Sequence, residues 1–233
     1  MKIIGIIGAM EEEVEILKSH MENVTKKVKA SMEFFHGCIQ EKEVIVVRSG
    51  IGKVNMAVCT QILIDDFQVS ALINTGVAGS LRNEINIGDI VLSKDTMQHD
   101  VDATGFGYKK GEIPRMETSI FKGDEELINL AKQCCEKVNQ DIQCFVGRVV
   151  TGDQFISDGE KKQELIKSFD GYCTEMEGAA MGQVAYLNQV PFVVIRAISD
   201  KADHSAEMNY QEFEEQAILH TTHLMLEMIK MYE

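Results

Sequence analysis

Short apolar runs alternate along the chain with segments in which apolar side chains recur at helical spacing. Residues 2–8 form the first run and predict a strand buried on both faces, and residues 12–21 predict the helix that follows it. Further strands are predicted over residues 34–40, 44–48, 69–74, 89–93, 143–151, 172–175 and 192–197, with a glycine-rich turn over 76–79. Further helices are predicted over residues 53–67, 125–138, 161–168, 178–188 and 210–231. This alternation predicts an α/β fold, a three-layer sandwich in which helices flank a mixed, mostly parallel central sheet.

Length and composition favour one domain over residues 1–233. Of the 233 residues, 45% are hydrophobic, which is enough for a full core, and no repeat, linker or low-complexity tract interrupts the chain. The apolar start meets Glu11, Glu12 and Glu13 before it could form a signal peptide or a membrane span. The six cysteines contain no Cys-x-x-Cys and are interpreted as reduced thiols. We therefore expect a cytoplasmic protein with no membrane partner.

The charge of the chain argues against a nucleic-acid partner. The net charge is -14, and no run of Lys and Arg could overcome the repulsion from a phosphate backbone. His220 and His223 lie three residues apart on the last predicted helix, but two ligands are too few for a metal site. No metal and no organic cofactor is expected.

Ligands of open α/β sheets collect at the carboxyl ends of the strands, so the residues that follow each apolar run are the candidates for chemistry. Glu177 and Asp200 stand at such ends beside apolar sequence, where an unpaired buried carboxylate would cost stability. Asp200 has an alternative interpretation as a helix N-cap, and Glu13 has one as a solvated residue in the first turn of a helix. Arg196 could neutralise this acidic site or form a structural ion pair. The glycine-rich turns fit no Walker A or dinucleotide-binding motif.

Together and in order, these segments resemble one family over nearly the whole chain. The matching segments are residues 5–14, 49–54, 74–76, 88–91, 99–100, 106–108, 152–153, 175–177 and 191–200. In these segments the chain is similar to the 5′-methylthioadenosine/S-adenosylhomocysteine nucleosidases of the nucleoside phosphorylase superfamily. The resemblance implies hydrolysis of the bond between adenine and a 5′-alkylthio ribose, in methionine salvage and in recycling of S-adenosylmethionine by-products.

The resemblance also implies the catalytic residues. Asp200, held by Ser199, would act as the general acid that protonates N7 of the base, which requires a raised pKa. Glu13 would orient and deprotonate the attacking water, with help from Arg196 and Glu175. Because a carboxylate next to C1′ repels a phosphate dianion but can activate water, Glu13 argues for hydrolysis over phosphorolysis.

The remaining implied residues bind the substrate. Glu177, with the Met176 backbone nearby, would accept hydrogen bonds from the ribose hydroxyls and stabilise the cationic sugar. Phe155 would stack on adenine and the Ile156 backbone would contact its edge, while Ala78 and Gly79 would allow close approach of the nucleoside.

An apolar pocket for the 5′ substituent is implied as well. Met10, Ile51 and Tyr210 would line it, and a second subunit would contribute Phe106 and Pro114, so the resemblance implies a homodimer.

Three positions depart from the pattern of many relatives. Val77 replaces a common Ser, Ser80 a common Gly, and Tyr210 a common Phe. These changes leave the acids in place but put the preference among substrates in doubt. A nucleosidase for aminodeoxyfutalosine, a phosphate-dependent nucleoside phosphorylase and a non-catalytic nucleoside-binding protein remain the alternatives.

Overall fold

The computed structural model describes residues 2–232, except the side chains at 207, 209 and 211. Within these residues the chain forms ten strands and six helices. The strands are β1 (Ile4–Gly8), β2 (Glu22–Lys29), β3 (Met32–Ile39), β4 (Lys42–Arg48), β5 (Ala71–Ser80), β6 (Ile90–Gln98), β7 (Phe121–Lys122), β8 (Cys144–Thr151), β9 (Cys173–Glu175) and β10 (Phe192–Asp200). The helices are α1 (Glu15–Ser19), α2 (Lys53–Phe67), α3 (Glu125–Val138), α4 (Gly159–Phe169), α5 (Gly178–Asn188) and α6 (Ala206–Met231). A 3₁₀ turn covers Thr104–Phe106.

All ten strands belong to one mixed sheet whose centre is parallel. The parallel pairings run from β4 through β1 and β5 to β10. Beyond β10 the order continues through β6, β8 and β9, and β9 pairs antiparallel with β5. Strands β5, β10, β6, β8 and β9 therefore close on themselves, while β1, β4, β3 and β2 extend the sheet outward from β5.

Alternating side chains divide the core between the two faces of the sheet. In β10, Val193 and Ile195 point towards the side covered by α1, α3 and α6, whereas Phe192 and Val194 point towards α2 and α5. Arg196 is a buried cation in this otherwise apolar strand. A smaller apolar cluster joins α4 to β8 and to the segments after β5, β8 and β10: Leu81, Val150, Ile156, Leu165, Phe169 and Ala202.

The predicted mixed sheet flanked by helices is confirmed, and α2, α3 and α5 have the predicted bounds. The turn predicted over 76–79 was wrong, because β5 continues to Ser80 while its backbone pairs with β10. Strand β2 was not predicted, since all eight of its residues are exposed and it lacks an apolar run. The two-residue β7 was also missed.

The structure contains six free thiols, Cys38, Cys59, Cys134, Cys135, Cys144 and Cys173. Within residues 2–232, no helix combines the length and the apolar character that a membrane span requires.

Candidate active site

A cavity of about 340 Å³ opens at the carboxyl ends of the central strands. The turn after β1, the end of β5, β9 with the turn into α5, and the end of β10 form most of its wall. The loops after β4 and β8 and one residue of α6 complete it. The lining residues are Ala9, Met10, Glu13, Ile51, Val77, Ala78, Gly79, Phe155, Thr174, Glu175, Met176, Glu177, Ser199, Asp200 and Tyr210.

Asp200 is buried at the end of β10, where a register shift makes Ser199 an extra residue opposite β5. Both side chains line the cavity, and the Ser199 hydroxyl donates to Asp200 Oδ2 at 2.9 Å. The Ala202 N–H donates to Asp200 Oδ1 at 2.7 Å. Burial raises the pKa of the Asp200 carboxyl, although both hydrogen bonds lower it. No described Lys, Arg or His lies within ion-pair distance of Asp200, and the charge of Lys162, which also lowers the pKa, acts from farther away than an ion pair, so the pKa of Asp200 stays raised.

Gly79 keeps the Asp200 carboxyl accessible. It pairs with Asp200 across β5 and β10, and a Cβ at this position would lie 2.7 Å from Asp200 Oδ1 and 2.9 Å from Ala202 Cβ. Any larger residue would have to displace the carboxyl or the turn after it.

Glu13 is the only buried member of the acidic run that follows β1. Its Oε2 accepts the N–H groups of Ala9 at 2.6 Å and Met10 at 3.0 Å, and its Oε1 accepts that of Val77 at 3.3 Å. Burial raises the pKa of the Glu13 carboxyl, and the Arg196 charge is the largest influence in the opposite direction. Glu11 is half-buried and Glu12 is exposed, so position rather than residue type distinguishes Glu13.

Arg196 lies beneath the cavity and does not line it. Its guanidinium donates to both Glu175 and Asn74 and lies 3.6 Å from Glu177 Oε2. Arg196 therefore contacts Glu175 and Glu177, two of the acids predicted to act on the sugar, but it does not line the cavity.

Glu175 has its hydrogen-bonding capacity occupied by the protein. It accepts the Thr151 hydroxyl, the Arg196 guanidinium, and the N–H groups of Glu177 at 3.1 Å and Gly178 at 2.7 Å. These contacts attach the N-terminus of α5 to β8 and β10. Glu175 therefore positions the start of α5, and its predicted help to the attacking water stays a prediction.

Glu177 is the residue that precedes the first turn of α5, and its carboxylate has few partners. Oε1 accepts the Gly52 N–H at 2.8 Å. Burial and the neighbouring charge of Glu175 together raise the pKa of Glu177 to about 7, although Arg196 and the Gly52 hydrogen bond lower it. The remaining acceptor positions of Glu177 can bind hydroxyl donors in the cavity.

Aromatic and apolar side chains cover the other side of the cavity. Phe155 is half exposed and meets Tyr210 edge to face, with ring centroids 6.0 Å apart. The Tyr210 hydroxyl donates to Glu214 Oε1 at 2.6 Å and also contacts Met10 Sδ at 3.4 Å. Ile51 lies at the mouth and is also exposed.

The structure does not bring all predicted site residues together. Ile156 is buried next to the cavity and lines a small adjoining pocket with Phe155 and Asp200. Phe106 is 88% exposed in the 3₁₀ turn, and Pro114 is exposed in the loop that follows. Neither lines the cavity of its own chain, so a role at the 5′ pocket stays a prediction that needs a second chain.

Three lining residues were not predicted. Ala9 and Val77 surround Glu13, and Val77 had been noted only as a departure from the family pattern. Thr174 precedes Glu175 in β9, and its hydroxyl is buried without a hydrogen-bond partner. The only sequence signal for Thr174 was its place beside the Glu175-Met176-Glu177 motif.

The cavity combines buried carboxyl groups with an absence of positive charge. No Lys, Arg or His occurs among its lining residues, all of which the structure describes. Within residues 2–232, no three His, Cys, Asp or Glu side chains are arranged to hold a metal ion. Such a site can donate a proton through Asp200 and accept one through Glu13.

Comparisons with known proteins agree with this geometry. The model of the phosphorylase superfamily matches residues 3–230. A 5′-methylthioadenosine/S-adenosylhomocysteine nucleosidase from Bacillus licheniformis is 45% identical over 228 residues, which cover 97% of this chain and 98% of that protein.

Solved structures extend the similarity to the fold. The Neisseria meningitidis nucleosidase of the same name, in complex with methylthio-immucillin-A, is 37% identical with a TM-score of 0.94, and the match covers 99% of both chains. A futalosine hydrolase from Helicobacter pylori is 34% identical with a TM-score of 0.92 and covers 98% of this chain and 97% of its own. The chain belongs to the phosphorylase superfamily and, within it, to the family of the 5′-methylthioadenosine/S-adenosylhomocysteine nucleosidases.

Proposed function

We propose that this chain hydrolyses the N-glycosidic bond of 5′-methylthioadenosine and S-adenosylhomocysteine, and also that of 5′-deoxyadenosine. The products are adenine and the corresponding free ribose, which carries a 5-thio group in the first two cases. This reaction serves methionine salvage and removes by-products of S-adenosylmethionine. The names of the relatives support the substrate, and the geometry of the cavity supports the chemistry.

The observation that carries this proposal is the buried Asp200 carboxyl, which has a raised pKa and no cationic partner in the cavity wall. Adenine leaves with the electron pair of the bond to C1′, and it leaves readily only when N7 receives a proton. Asp200 supplies that proton, and Ser199 holds its second oxygen at 2.9 Å. Asp200 therefore acts as the general acid.

Glu13 and Glu177 serve the sugar. As the base leaves, C1′ becomes cationic, and ionised Glu177 stabilises this charge while it accepts the ribose hydroxyls. A water molecule attacks C1′ and transfers its proton to Glu13, whose three backbone donors fix the carboxylate in place. Arg196, beneath both acids, favours their ionised forms.

Water is favoured over phosphate as the nucleophile. Glu13, Glu175 and Glu177 all line the cavity, and among its lining residues there is no cation to hold a phosphate dianion. Repulsion between like charges in a buried site is strong, so phosphate would bind poorly next to C1′. The phosphorylase alternative therefore receives no support from the site.

A nucleosidase for aminodeoxyfutalosine remains the second candidate, because a solved futalosine hydrolase matches the fold over nearly the whole chain. That protein and the nucleosidases align with this chain at comparable TM-scores. Substrate tests must decide between the two activities.

The deciding experiment is product analysis by chromatography with methylthioadenosine, S-adenosylhomocysteine, inosine and aminodeoxyfutalosine, each with and without phosphate. We expect adenine release from the first two in phosphate-free buffer. A strict requirement for phosphate would contradict hydrolysis, and activity on aminodeoxyfutalosine alone would establish the second candidate.

Glu13→Gln should lose most activity, whereas Glu12→Gln, which alters an exposed neighbour, serves as the matched control.

We further propose a homodimer that functions in the cytoplasm. The exposed Phe106 and Pro114 support it, as do Val54 and Val58, which lie one turn apart on α2 and are 75% and 40% exposed. The six free thiols are typical of a reducing compartment. Sedimentation of the purified protein tests the dimer, and a monomer with full activity would contradict the contribution of a second subunit.

A further inference from the structure

A few buried polar groups of this chain have no hydrogen-bond partner. Among the described residues they are the hydroxyls of Thr75, Thr96 and Thr174 and both ring nitrogens of His99. A buried hydroxyl without a partner costs stability, so such a group is informative when it faces a cavity. Of these residues, Thr174 alone lines the candidate active site.

Thr174 lies at the part of the cavity where Asp200 acts. It pairs with Gly79 across β9 and β5, and Gly79 in turn pairs with Asp200 across β5 and β10. Thr174 also lines a small adjoining pocket of about 40 Å³, together with Gln154, Ile156 and Asp200. This pocket is too small for a ring but large enough for one polar substituent or one water molecule.

We propose that the Thr174 hydroxyl forms a hydrogen bond with the purine base and so helps to determine which base the site accepts. The inference rests on the proposed function, because it assumes that the base reaches Asp200. A hydroxyl can both donate and accept, and the base is the polar group that enters this part of the cavity. The Thr174 hydroxyl, which has no partner within the protein, would then find one in the base.

The chemistry of selection follows from the asymmetry of hydrogen bonding in buried sites. A base with the matching ring nitrogen or amino group satisfies Thr174, whereas a base without it leaves the hydroxyl desolvated and unpaired. Thr174 would thereby be a specificity-determining residue in addition to the stacking side chain of Phe155.

Adenine binding tests the proposal without any turnover. Calorimetry compares the wild type with Thr174→Val, which keeps the shape but removes the hydroxyl, and with Thr174→Ser, which keeps the hydroxyl. The ligands are adenine, 1-deazaadenine, 3-deazaadenine and unsubstituted purine. We expect Thr174→Val to weaken adenine binding by about threefold to tenfold and Thr174→Ser to bind adenine as the wild type does.

One of the three analogues lacks the partner atom, and it should bind to the wild type and to Thr174→Val equally well. Thr96→Val is the matched control, since it removes an equally buried, unpartnered hydroxyl outside the cavity. The proposal is overturned if Thr174→Val binds adenine as tightly as the wild type, or if it loses the same factor for every base. A wild type that binds adenine but hydrolyses no nucleoside would refute the proposed function while leaving this inference intact.

Discussion

The two ends of the cavity contain carboxyl groups in opposite surroundings. At the end that we propose for the base, Asp200 has neutral partners, the hydroxyl of Ser199 and the N–H of Ala202. At the end that we propose for the sugar, Glu13, Glu175 and Glu177 lie around the buried guanidinium of Arg196. Burial raises the pKa of Asp200, Glu13 and Glu177, but the arginine opposes that effect at the sugar end as a close counter-charge.

This difference supports the proposed acid and base roles within one small site. Burial without a cation at ion-pair distance favours the protonated form of Asp200, whereas the charge of Arg196 lowers the cost of ionising Glu13 and Glu177. In this proposal the environment of each carboxyl, and not its residue type, sets its role.

The largest expected effect tests the base end. Asp200→Asn keeps the size of the side chain and can accept the N–H of Ala202, but an amide cannot transfer a proton to N7. We expect the rate of adenine release to fall by about 10³-fold while the protein stays folded. Steady-state kinetics and circular dichroism measure the two quantities.

The neighbouring Asp203→Asn is the control for Asp200→Asn, because Asp203 lies in the same turn but does not line the cavity. Near-normal rates in Asp200→Asn would assign the proton donor to another group and remove the contrast between the two ends.

The sequence placed these acids at one sheet edge but could not describe their surroundings. Asp200 and Glu177 stand at strand ends beside apolar sequence, and this local signal marks them as candidates, although for Asp200 it leaves the helix N-cap interpretation open. The closure of the sheet depends on β9, which has three residues, and on antiparallel pairs between distant segments that the alternation of strands and helices does not encode. For the same reason the hydroxyl of Thr174 and the position of Arg196 beneath the cavity became visible only in three dimensions.

Arg196→Met removes the counter-charge of the sugar end. It leaves Glu175 and Glu177 buried without their cation, so we expect the free energy of unfolding to fall by about 3–5 kcal/mol. Chemical denaturation measures the loss.

Arg148→Met provides the comparison for Arg196→Met, since its guanidinium pairs with Asp95 at a partly exposed position outside the cavity. We expect Arg148→Met to cost less than Arg196→Met. Adding Glu175→Gln to Arg196→Met should recover part of the stability, and no recovery would mean that packing rather than charge explains the loss.

The pH dependence of stability tests the surroundings of Glu177. Because its pKa in the folded protein is about 7, above the ordinary value near 4.5, the folded state holds this proton more tightly than the unfolded state. The stability that this provides is fully present below about pH 4.5 and is lost as pH rises through about 7. We expect the free energy of unfolding of Glu177→Gln to exceed that of the wild type by about 2–3 kcal/mol at pH 8 and to differ little from it at pH 4.5.

Denaturation curves at several pH values check this dependence, with Glu22→Gln on the exposed strand β2 as the control. Glu177→Gln should also lose activity, since a neutral amide does not stabilise the cationic sugar. Equal stability of Glu177→Gln and the wild type at pH 8 would show that Arg196 and Gly52 fully compensate the charge.

The smallest expected effect concerns a network that connects the two ends. Lys53 Nζ donates to Asp100 Oδ1 at 2.6 Å, and the Lys53 N–H donates to Asp153 Oδ1 at 2.9 Å. Asp153 lies two residues before Phe155, and Gly52, the residue before Lys53, donates to Glu177, so this network links the loop of Phe155 to Glu177.

Lys53→Met removes the ion pair but keeps the backbone contact and the chain length of the side chain. We expect KM for methylthioadenosine to rise by about threefold to tenfold while kcat changes less than twofold, because the loop of Phe155 is held less firmly and the acids are untouched. Lys137→Met, which breaks the pair with Glu227 far from the cavity, should change neither constant. If Lys53→Met lowered kcat at constant KM, the network would serve the acids of the sugar end rather than the position of the base. The two ends would then be coupled in the chemical step as well as in binding.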